Sequence, residues 1–385
     1  VPEIGVLRPQ GARLAIREMF LRHVIGGKHL SSRTDFVEMV QGATPDVVLL
    51  VGGTDGGNAE VLLQSAGALA GAGWSGPVVV AGNVAAQREV AARLEGAGTP
   101  YVLADNVVPR IGALAPDSAR AAIREMFLRH VIGGKHLSTR TDFTAMVRGA
   151  TPDVVLTAVE LLARGLDEQH PGAGDVVVVD VGGATTDVYS VVEVDPEDSG
   201  LSREVVATVP ASRTVEGDLG MRWTAPSTVE AAESLGLLPD PGDLAVASES
   251  AAMRQADPGF VPCNEDDRGR DQELASLAIG VALRRHAGRA QVVFGPDGRV
   301  VERTGKDLRE ADLLVGSGGV LRHSGGRGTR VMLRLLDDDG QGWQLPRAPR
   351  AVVDVDYVLA PAGLLAPTHP VAAHRLLQSL ARANP

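Results

Sequence analysis

A chain of 385 residues with 44% hydrophobic and only 3% aromatic side chains has room for two or three domains whose interiors are filled by Val, Leu and Ala, which is typical of α/β proteins. The net charge of −11 argues against a nucleic-acid partner, and the single cysteine, Cys263, excludes an intramolecular disulfide and a cysteine-based metal site. No apolar run is long enough to span a membrane and no secretion signal is visible, so we expect a cytoplasmic protein without a membrane partner.

The chain opens with a repeat. Residues 1–49 and 108–156 align at a constant offset of 107 with 39 identities in 49 positions. Each copy predicts a helix, from about Ala12 in the first and Ala119 in the second, that ends at a pair of glycines. Because the identity extends through Arg, Lys and His positions that a solenoid repeat would vary, we interpret the pair as a recent duplication.

Both copies end on the pentapeptide Pro-Asp-Val-Val-Leu, but in unlike contexts. After Pro45 the apolar residues run straight into glycines, which predicts a buried strand over 47–51. After Pro152 apolar residues recur at helical spacing, with Thr151 as N-cap and Pro152 as the first helical residue. The sequence therefore predicts two conformations for one pentapeptide.

Strand and helix patterns then alternate regularly from residue 46 to residue 103. They predict strands at 47–51, 78–81 and 101–103 and helices at 60–71 and 85–96, which together make a parallel βαβαβ unit. The loop after the first strand lies where open α/β sheets collect ligands, so an additional ligand loop and a mere tight turn are both open. Its residues are Gly52, Gly53, Thr54, Asp55, Gly56, Gly57 and Asn58.

The most informative stretch is GDVVVVDVGGATTDVYSVV, residues 174–192. It predicts a buried strand, a glycine turn and a second, alternating strand. Glycines let backbone N–H groups approach an anion, threonine hydroxyls add donors, and a carboxylate beside them can hold Mg²⁺ through water. A Walker loop would need a lysine and a helix after the glycines, and both are missing. An ordinary glycine turn between Val-rich strands and a phosphate-binding hairpin are both open, and the string D-x-G-G-x-T-T-D favours the second. Its residues would be Asp180, Gly182, Gly183, Thr185, Thr186 and Asp187, with Asp180 as the Mg²⁺ ligand.

A polar, glycine-punctuated segment at 213–222 follows the hairpin. Its Glu216 and Asp218 could add a carboxylate to the site, cap a helix or lie at the surface. Helices are predicted at 228–235 and 271–287. Residues 237–270 are rich in Pro, Asp and Gly, which predicts a mobile excursion or a small subdomain.

A second glycine cluster follows the hairpin by about 130 residues. A short apolar strand runs into the cluster and a predicted helix follows, an arrangement that brings backbone close to a flat or anionic ligand. The cluster consists of Gly316, Ser317, Gly318 and Gly319. The chain closes with a predicted strand over 352–358 and an amphipathic helix over 371–380.

Seven segments, in unbroken order over about residues 46–385, resemble the glutamate mutase (methylaspartate mutase) accessory protein family. This family is the MutL-like branch of the ATPase superfamily of actin, heat-shock chaperones and sugar kinases. The segments are VLLVGGTDGGNAEVL, VVVAGN, ADNVVPRIG, VVVVDVGGATTDVYSV, RTVEGDLGMR, LLVGSGGVL and DVDYVLAPAGLLA. The resemblance implies an α/β protein with actin-like (ribonuclease H-like) ATPase lobes, with phosphate and Mg²⁺ at the hairpin and the adenosine at residues 316–319.

The resemblance also implies a function. ATP and Mg²⁺ would be the cofactors, subunits of an adenosylcobalamin-dependent mutase the partners, and chaperone-like reactivation of that mutase the role. It fails at the front of the chain, because the family opens with a phosphate hairpin of the form D-x-G-S-T and no such string occurs. We therefore expect a duplicated helical segment at 1–45, an incomplete first lobe at 46–160, and a second ATPase lobe with a C-terminal helix at 161–385.

Two other classes of function are left open. The string DVGGATTDV also resembles the phosphate motif of hydantoinase/oxoprolinase-type proteins and, more distantly, of acid and sugar kinases. Such an ATP-dependent enzyme would need a substrate base near Asp187, and no candidate stands out in the sequence. A non-catalytic interaction protein, left by truncation and duplication, is the third class.

Overall fold

The computed structural model describes residues 47–126, 151–193, 210–295, 298–337 and 340–382, together with positions 40, 45 and 129; within 291–304 only the backbone is described. The chain divides into two compact units, residues 1–150 with 205–207 and residues 151–204 with 208–385. The sequence-based limit at residue 160 lies inside a helix, Thr151–Arg164, whose apolar side packs within the second unit.

The first unit is an α/β layer with a three-stranded parallel sheet. Its strands, in spatial order, are β1 (Val48–Leu50), β2 (Val78–Val80) and β3 (Tyr101–Leu103). Its helices are α1 (Glu60–Gly71), α2 (Val84–Gly96) and α3 (Asp117–Met126). Because side chains alternate along a strand, Val78 and Val80 pack against α1 and α2 while Val79 faces α3. The predicted βαβαβ unit is confirmed.

Helix α3 comes from the second copy of the repeat. It begins two residues before the predicted start and buries Ala119, Ala122 and Met126 against the sheet. The glycine end of this predicted helix and the helix of the first copy lie outside the described residues. Val40, also from the first copy, packs beside Val48 in the core of this unit. Both copies of the repeat therefore contribute apolar side chains to the first unit, on opposite faces of its sheet.

The second unit is larger and holds nine strands among its described residues. They are β4 (Gly165–Asp167), β5 (His170–Pro171), β6 (Val176–Val181), β7 (Thr186–Val191), β8 (Ala211–Glu216), β9 (Arg289–Gly295), β10 (Gly298–Thr304), β11 (Leu313–Ser317) and β12 (Arg350–Val353). Five of them form the main sheet in the order β8–β7–β6–β11–β12. Within that sheet β7 is antiparallel to both of its neighbours, whereas β11 is parallel to β6 and β12.

Helices cover both faces of this sheet. They are α4 (Thr151–Arg164), α5 (Ala225–Ser234), α6 (Pro241–Ala256), α7 (Glu265–His286), α8 (Gly319–Arg322), α9 (Gly328–Leu333), α10 (Leu359–Leu365) and α11 (Pro370–Arg382). Val176 and Val178 pack with α4, α10 and α11, and Val177 and Val179 pack with α5, α7 and α9. A strand buried on both faces is continuously apolar, which explains the Val run of β6.

Two sequence expectations meet different outcomes here. The two conformations of Pro-Asp-Val-Val-Leu are confirmed, because the first copy runs into β1 and the second begins α4. The mobile excursion or small subdomain predicted over 237–270 is wrong, because the segment contains the start of α7 and the 16-residue helix α6, whose Ala247 and Ala251 belong to the main core of the second unit. Asp240 caps α6 by accepting the N–H groups of Gly242 and Asp243, and Pro241 opens the helix, so the start signal was present. The strand predicted over 205–209 lies outside the described residues.

Candidate functional site

The hairpin predicted between residues 174 and 192 is formed by β6 and β7. The last paired residues are Val181 and Thr186, and the turn between them is closed by the N–H of Gly182, which donates to the Thr185 carbonyl at 2.9 Å. The strand, turn, strand order inferred from the sequence is therefore confirmed. The turn lies at the carboxyl end of β6, the side of the sheet on which the parallel strands β11 and β12 also end.

A separate segment, residues 221–224, holds the carbonyl side of this turn; we call it the clamp. It binds three consecutive turn carbonyls, those of residues 182–184. The bonds are Met221 N–H to Gly182 (3.0 Å), Arg222 N–H (2.8 Å) and Trp223 N–H (3.0 Å) to Gly183, and the Thr224 hydroxyl to Ala184 (2.7 Å). The orientation of each turn peptide is thus fixed from one side.

The opposite side of the turn consequently presents N–H groups. In a planar trans peptide the N–H points away from the C=O of the same unit, and no cis bond occurs in the described residues. With the carbonyls of 182–184 on the clamp, the N–H groups of Gly183, Ala184 and Thr185 point away from it. None of the three donates to an acceptor in the part of the chain that the structure describes. Successive N–H groups on one side of a turn form a concave binding place for an anion.

Close approach of the clamp explains two glycines. A Cβ on Gly220 would lie 2.6 Å from the Ala184 carbonyl carbon and the Thr224 hydroxyl. A Cβ on Gly183 would meet the Trp223 ring at 3.2 Å, and that ring is 60% exposed. Glycine at both positions therefore lets the turn and the clamp touch, while an aromatic ring lies at the solvent side of the turn.

Carboxylates line the edge of the sheet next to the turn. Asp180 and Asp187 are directly opposed in the β6–β7 ladder, on the face that also holds Val178 and Tyr189. Ser317 is the β11 neighbour of Asp180, and its hydroxyl acts to lower the pKa of the Asp180 carboxyl. Like charges directly opposed on adjacent strands are destabilising, so this pair is retained at a cost.

Asp354 completes what we call the acidic edge: Asp180, Asp187 and Asp354. It follows β12, its N–H donates to the Gly316 carbonyl at 2.8 Å, and its charge acts on Asp180. Its two carboxylate oxygens accept the N–H groups of Val358 (2.9 Å) and Leu359 (3.1 Å), where α10 begins. Three strands therefore each deliver one carboxylate to the same edge.

Burial shifts the titration of all three carboxyls. It raises the pKa of Asp180, the neighbouring charges of Asp187 and Asp354 raise it further, and the Ser317 hydrogen bond opposes them. Burial likewise raises the pKa of Asp187, against the hydroxyl of Tyr189, which donates to Asp187 Oδ2 at 3.1 Å. Burial also raises the pKa of Asp354, against its backbone hydrogen bonds. Folding thus disfavours the ionised form of these three carboxyls, which is what is expected of a cation site without its cation.

Two buried oxygens at the start of β7 have no hydrogen-bond partner among the described residues. They are Asp187 Oδ1, on the acidic edge, and Thr186 Oγ1, on the opposite face of the sheet. Thr186 is fully buried, so its side chain points into the interior, whereas Thr185 is half-buried in the turn. Buried polar atoms are rarely left unpaired, and Asp187 Oδ1 therefore has unused capacity to bind a water or an ion.

Glu216 and Asp218 are neither surface residues nor helix caps. Both are buried and bind Arg285 of α7, at 2.7 Å from Glu216 and 2.9 Å from Asp218. Burial lowers the pKa of Arg285, but hydrogen bonds to these two carboxylates more than offset it. Glu216 is the β8 neighbour of Thr186, so this ion cluster lies beneath the start of β7 on the α7 face.

The glycine cluster at 316–319 adjoins the hairpin through strand pairing. Gly316 and Ser317 are the buried end of β11, and Gly319, which is exposed, begins α8. Gly318 has φ of +105°, and a Cβ there would overlap the carbonyl of Val181 at the end of β6. The fold thus brings this cluster and the hairpin together, and close packing between the strand ends requires the glycine at 318.

The loop Gly52–Asn58 lies in the first unit, and several of its polar groups are bound within that unit. Asn83, which is fully buried, accepts from the Gly56 N–H at 3.1 Å and donates to the Gly57 carbonyl at 3.0 Å. Asp55 Oδ1 accepts from the N–H of Val84 (3.0 Å) and from the Asn106 amide (2.9 Å). These bonds hold the pKa of Asp55 below its usual value, and the bond from the Val84 backbone has the larger effect. A side chain of the protein thus occupies the N-terminus of α2.

The described residues were searched for metal-binding clusters, reactive cysteines and membrane-spanning helices. Within the described ranges no set of three or more His, Cys, Asp or Glu side chains is arranged to hold a metal ion. Cys263 is a free, exposed thiol. A search of the same residues found no helix with the length and apolar character needed to cross a bilayer.

Sequence reasoning found the hairpin but missed its surroundings. Asp354 stands in the segment DVDYVLAPAGLLA and directly follows the apolar strand β12, but the sequence predicts no role for it. The sequence predicts Ser317 in an adenosine loop, and the structure pairs it with Asp180 across β11 and β6. No local pattern marks Thr224 or Met221 as clamp residues, because they act only through contact with the distant turn.

Fold and site together define the class: an α/β protein whose second unit presents a turn with three N–H groups on one side beside an acidic edge. A family model described as MutL protein matches residues 37–380. Protein MutL of Clostridium tetanomorphum is 36% identical over 343 residues, which cover 89% of this chain and 74% of that relative. The chain belongs to the MutL protein family, and the resemblance to the MutL-like glutamate mutase accessory proteins is confirmed.

Proposed function

We propose that this protein is an accessory, chaperone-like ATPase that reactivates an adenosylcobalamin-dependent glutamate (methylaspartate) mutase. Membership of the family supports the accessory role. The observation that carries the nucleotide-binding part is the turn at 183–185, whose three N–H groups point to one side without an acceptor among the described residues. Such a turn suits a phosphate group, which accepts several hydrogen bonds at once.

The strand order supports an actin-like, ribonuclease H-like lobe. In the order β8–β7–β6–β11–β12 the first three consecutive strands form an antiparallel meander, and the next two extend the sheet in parallel from β6. That arrangement, with helices on both faces, is typical of the lobes of actin-like ATPases. Fold analogy alone does not assign function, so the proposal rests on the hairpin and its carboxylates.

The acidic edge supports a requirement for Mg²⁺. Bare triphosphate would be repelled by Asp180, Asp187 and Asp354, whereas a divalent cation would neutralise both the phosphates and the edge. Mg²⁺ is usually held by one or two carboxylates, with waters and phosphate oxygens completing its shell, so a three-residue cluster is not needed. Asp180 and the unpartnered Oδ1 of Asp187 are the oxygens that we assign to it, directly or through water. When bound, the ion would offset phosphate charge.

The remaining assignments complete the nucleotide site. We assign phosphate to Gly182, Gly183 and Thr185; Thr186, which the sequence also suggested, is fully buried on the opposite face of the sheet and is left out of the assignment. The adenosine is assigned to residues 316–319, which the pairing of β11 with β6 puts beside the hairpin. Nucleotide exchange or hydrolysis would shift the protein between conformations and act on a docked mutase, so a contact surface would choose the partner.

The first experiment is calorimetric titration with ATP and ADP, with and without Mg²⁺. We expect binding that requires Mg²⁺ and that loses this requirement in Asp180→Ala. Unchanged Mg·ATP affinity in that variant would remove Asp180 as the ligand. Hydrolysis is measured separately, because the sequence contains no D-x-G-S-T string.

The role itself is tested with an inactivated glutamate mutase holoenzyme. Recovery of mutase activity that needs both this protein and ATP supports the proposal. Phosphorylation or ring opening of a small substrate by the protein alone would favour the kinase-like or oxoprolinase-like class. Absence of nucleotide binding under all conditions would favour the interaction protein.

A further inference from the structure

We propose that the clamp is a positioning device that sets the phosphate affinity of the turn without touching the ligand, and that a buried Arg–Asp–Arg triad holds the clamp in place. The positioning residues are Arg222 and Thr224 of the clamp, Asp271 of α7 and Arg254 of α6. This inference rests on the proposed phosphate-binding role of the hairpin. It adds which residues of the protein hold the turn in its binding conformation.

The triad joins three parts of the second unit. Arg222 Nη2 lies 2.9 Å from Asp271 Oδ2, and Arg254 Nε lies 2.5 Å from Asp271 Oδ1. Arg254 and Asp271 are almost fully buried, and the Arg222 side chain is only 14% exposed. One carboxylate therefore ties the clamp to the start of α7 and to the end of α6.

The same guanidinium groups bind the chain between those helices. Arg222 donates to the Phe260 carbonyl at 3.2 Å, and Arg254 lies over the Phe260 ring at 5.3 Å from its centroid. Arg254 also donates to the Ser250 hydroxyl (2.7 Å) and to the Asp267 carbonyl (3.0 Å). The clamp consequently cannot shift without disturbing α6, α7 and the connection between them.

The triad has an electrostatic consequence for the turn. Two guanidinium groups share one carboxylate, so the triad carries a net positive charge in a place largely closed to water. The Arg222 backbone lies against the turn, with its N–H on the Gly183 carbonyl at 2.8 Å. Excess positive charge behind the turn favours an anion in front of it, in the same direction as the oriented N–H groups.

Thr224 offers the cleanest test of positioning. Its hydroxyl is the only clamp contact that a side chain makes with the turn carbonyls, it holds the peptide whose N–H belongs to Thr185, and it makes no side-chain cap to α5. Thr224→Val removes the donor and keeps the shape, whereas Thr224→Ser keeps the donor. Asp271→Asn tests the triad, but it leaves two buried guanidinium groups without a carboxylate and is expected to destabilise the unit strongly.

The measurement is the Kd for Mg·ADP by calorimetry, with thermal unfolding of each variant alongside. We expect Thr224→Val to weaken binding about fivefold, the equivalent of one hydrogen bond, and Thr224→Ser to bind nearly as the natural protein does. Leu377→Ala is the stability control, because Leu377 is fully buried on the other face of the sheet, in α11. It should lower the melting temperature and leave the Kd of the folded protein unchanged.

Equal Kd values for Thr224→Val and the natural protein would overturn the inference. So would a loss of affinity in Thr224→Ser as large as that in Thr224→Val, because the hydroxyl would then not be the cause. If the natural protein binds no nucleotide, the proposed function fails instead, and positioning is judged by hydrogen exchange. Faster exchange of the Met221, Arg222 and Trp223 N–H groups, which donate to the turn carbonyls, in Thr224→Val than in Thr224→Ser would support the clamp, and equal exchange would reject it.

Discussion

The two glycine loops of this protein lie at the ends of parallel strands, yet they use their polar groups in opposite ways. In the loop at 52–58 of the first unit, Asn83, Asn106 and Asp55 bind the loop backbone and each other. In the turn at 182–185 of the second unit, the clamp binds the carbonyls, and the N–H groups of 183–185 have no acceptor in the described chain. In the first loop the polar side chains bind the backbone of their own unit, whereas the second presents three successive N–H groups on one side.

The aspartates beside the two loops show the same difference. Hydrogen bonds from Val84 and Asn106 lower the pKa of Asp55, so the folded loop stabilises its charge. Burial and neighbouring carboxylates raise the pKa of Asp180, so the folded site disfavours its charge. The comparison teaches that a glycine-rich string with an aspartate indicates a ligand site only once the partners of its polar groups are counted.

The largest effect is expected where backbone touches backbone beside the turn. Gly318→Ala should lower the free energy of unfolding by more than about 2 kcal/mol, because the new Cβ would overlap the Val181 carbonyl and φ is +105°. The control is Gly325→Ala, with φ of +64° and open space, which should cost about 1 kcal/mol. Urea unfolding measures both. Equal losses would show that the ends of β6 and β11 are not in contact.

The next largest loss of stability is expected in the loop at 52–58. Asn83→Ala removes bonds to Gly56, Gly57 and Ala85 from a fully buried position. It should cost the first unit about 2 kcal/mol or more and leave Mg·ADP affinity unchanged. Asn58→Ala, which removes one exposed bond to the Glu60 N–H, should cost less than about 1 kcal/mol. Weakened nucleotide binding in Asn83→Ala would assign the loop a part in the site after all.

Neutralising Asp180 and neutralising Asp55 should change the free energy of unfolding in opposite directions. Asp180→Asn removes the charge repulsion between Asp180 and Asp187. At pH 7 without Mg²⁺ it should therefore raise the free energy of unfolding by up to about 1 kcal/mol. The same variant should bind nucleotide without requiring Mg²⁺. Asp55→Asn removes a charge that the fold stabilises and should lower stability. Destabilisation by both changes would contradict the acidic edge as a cation site.

The smallest effect is expected in how the stability changes caused by Asp180→Asn and Asp55→Asn vary with pH. Asp180 has a raised folded-state pKa, so its cost is present at neutral pH and disappears as pH falls through that pKa. The advantage of Asp180→Asn should therefore shrink as pH is lowered from 7 towards 4. Asp55 has a lowered pKa, so its stabilising contribution persists down to the ordinary carboxyl range and is lost below it. Unfolding curves from pH 7 to below the ordinary carboxyl range, taken as differences from the natural protein, measure both.

Much of the fold follows from local pattern. The alternation of apolar strands and helices gave the βαβαβ unit, with α1 at its observed limits, and the Val run followed by glycines gave the β6–β7 hairpin. Periodicity and turn residues are local properties, so a single sequence shows them. The missed helix α6 had a clear cap at Asp240 and Pro241, but its Ala and Ser residues gave little apolar contrast.

The sequence by itself determined most of the elements, with α6 the clear exception, together with the glycine turn and the family. Tertiary structure alone decided which groups meet: the clamp at 221–224 on the turn, Asp354 beside Asp180, and Arg285 between Glu216 and Asp218. These contacts join positions far apart in the chain, and local periodicity does not encode strand order or register. Pro-Asp-Val-Val-Leu makes the same point, because its flanking residues, and what those residues pack against, make it a strand after Pro45 and a helix after Thr151.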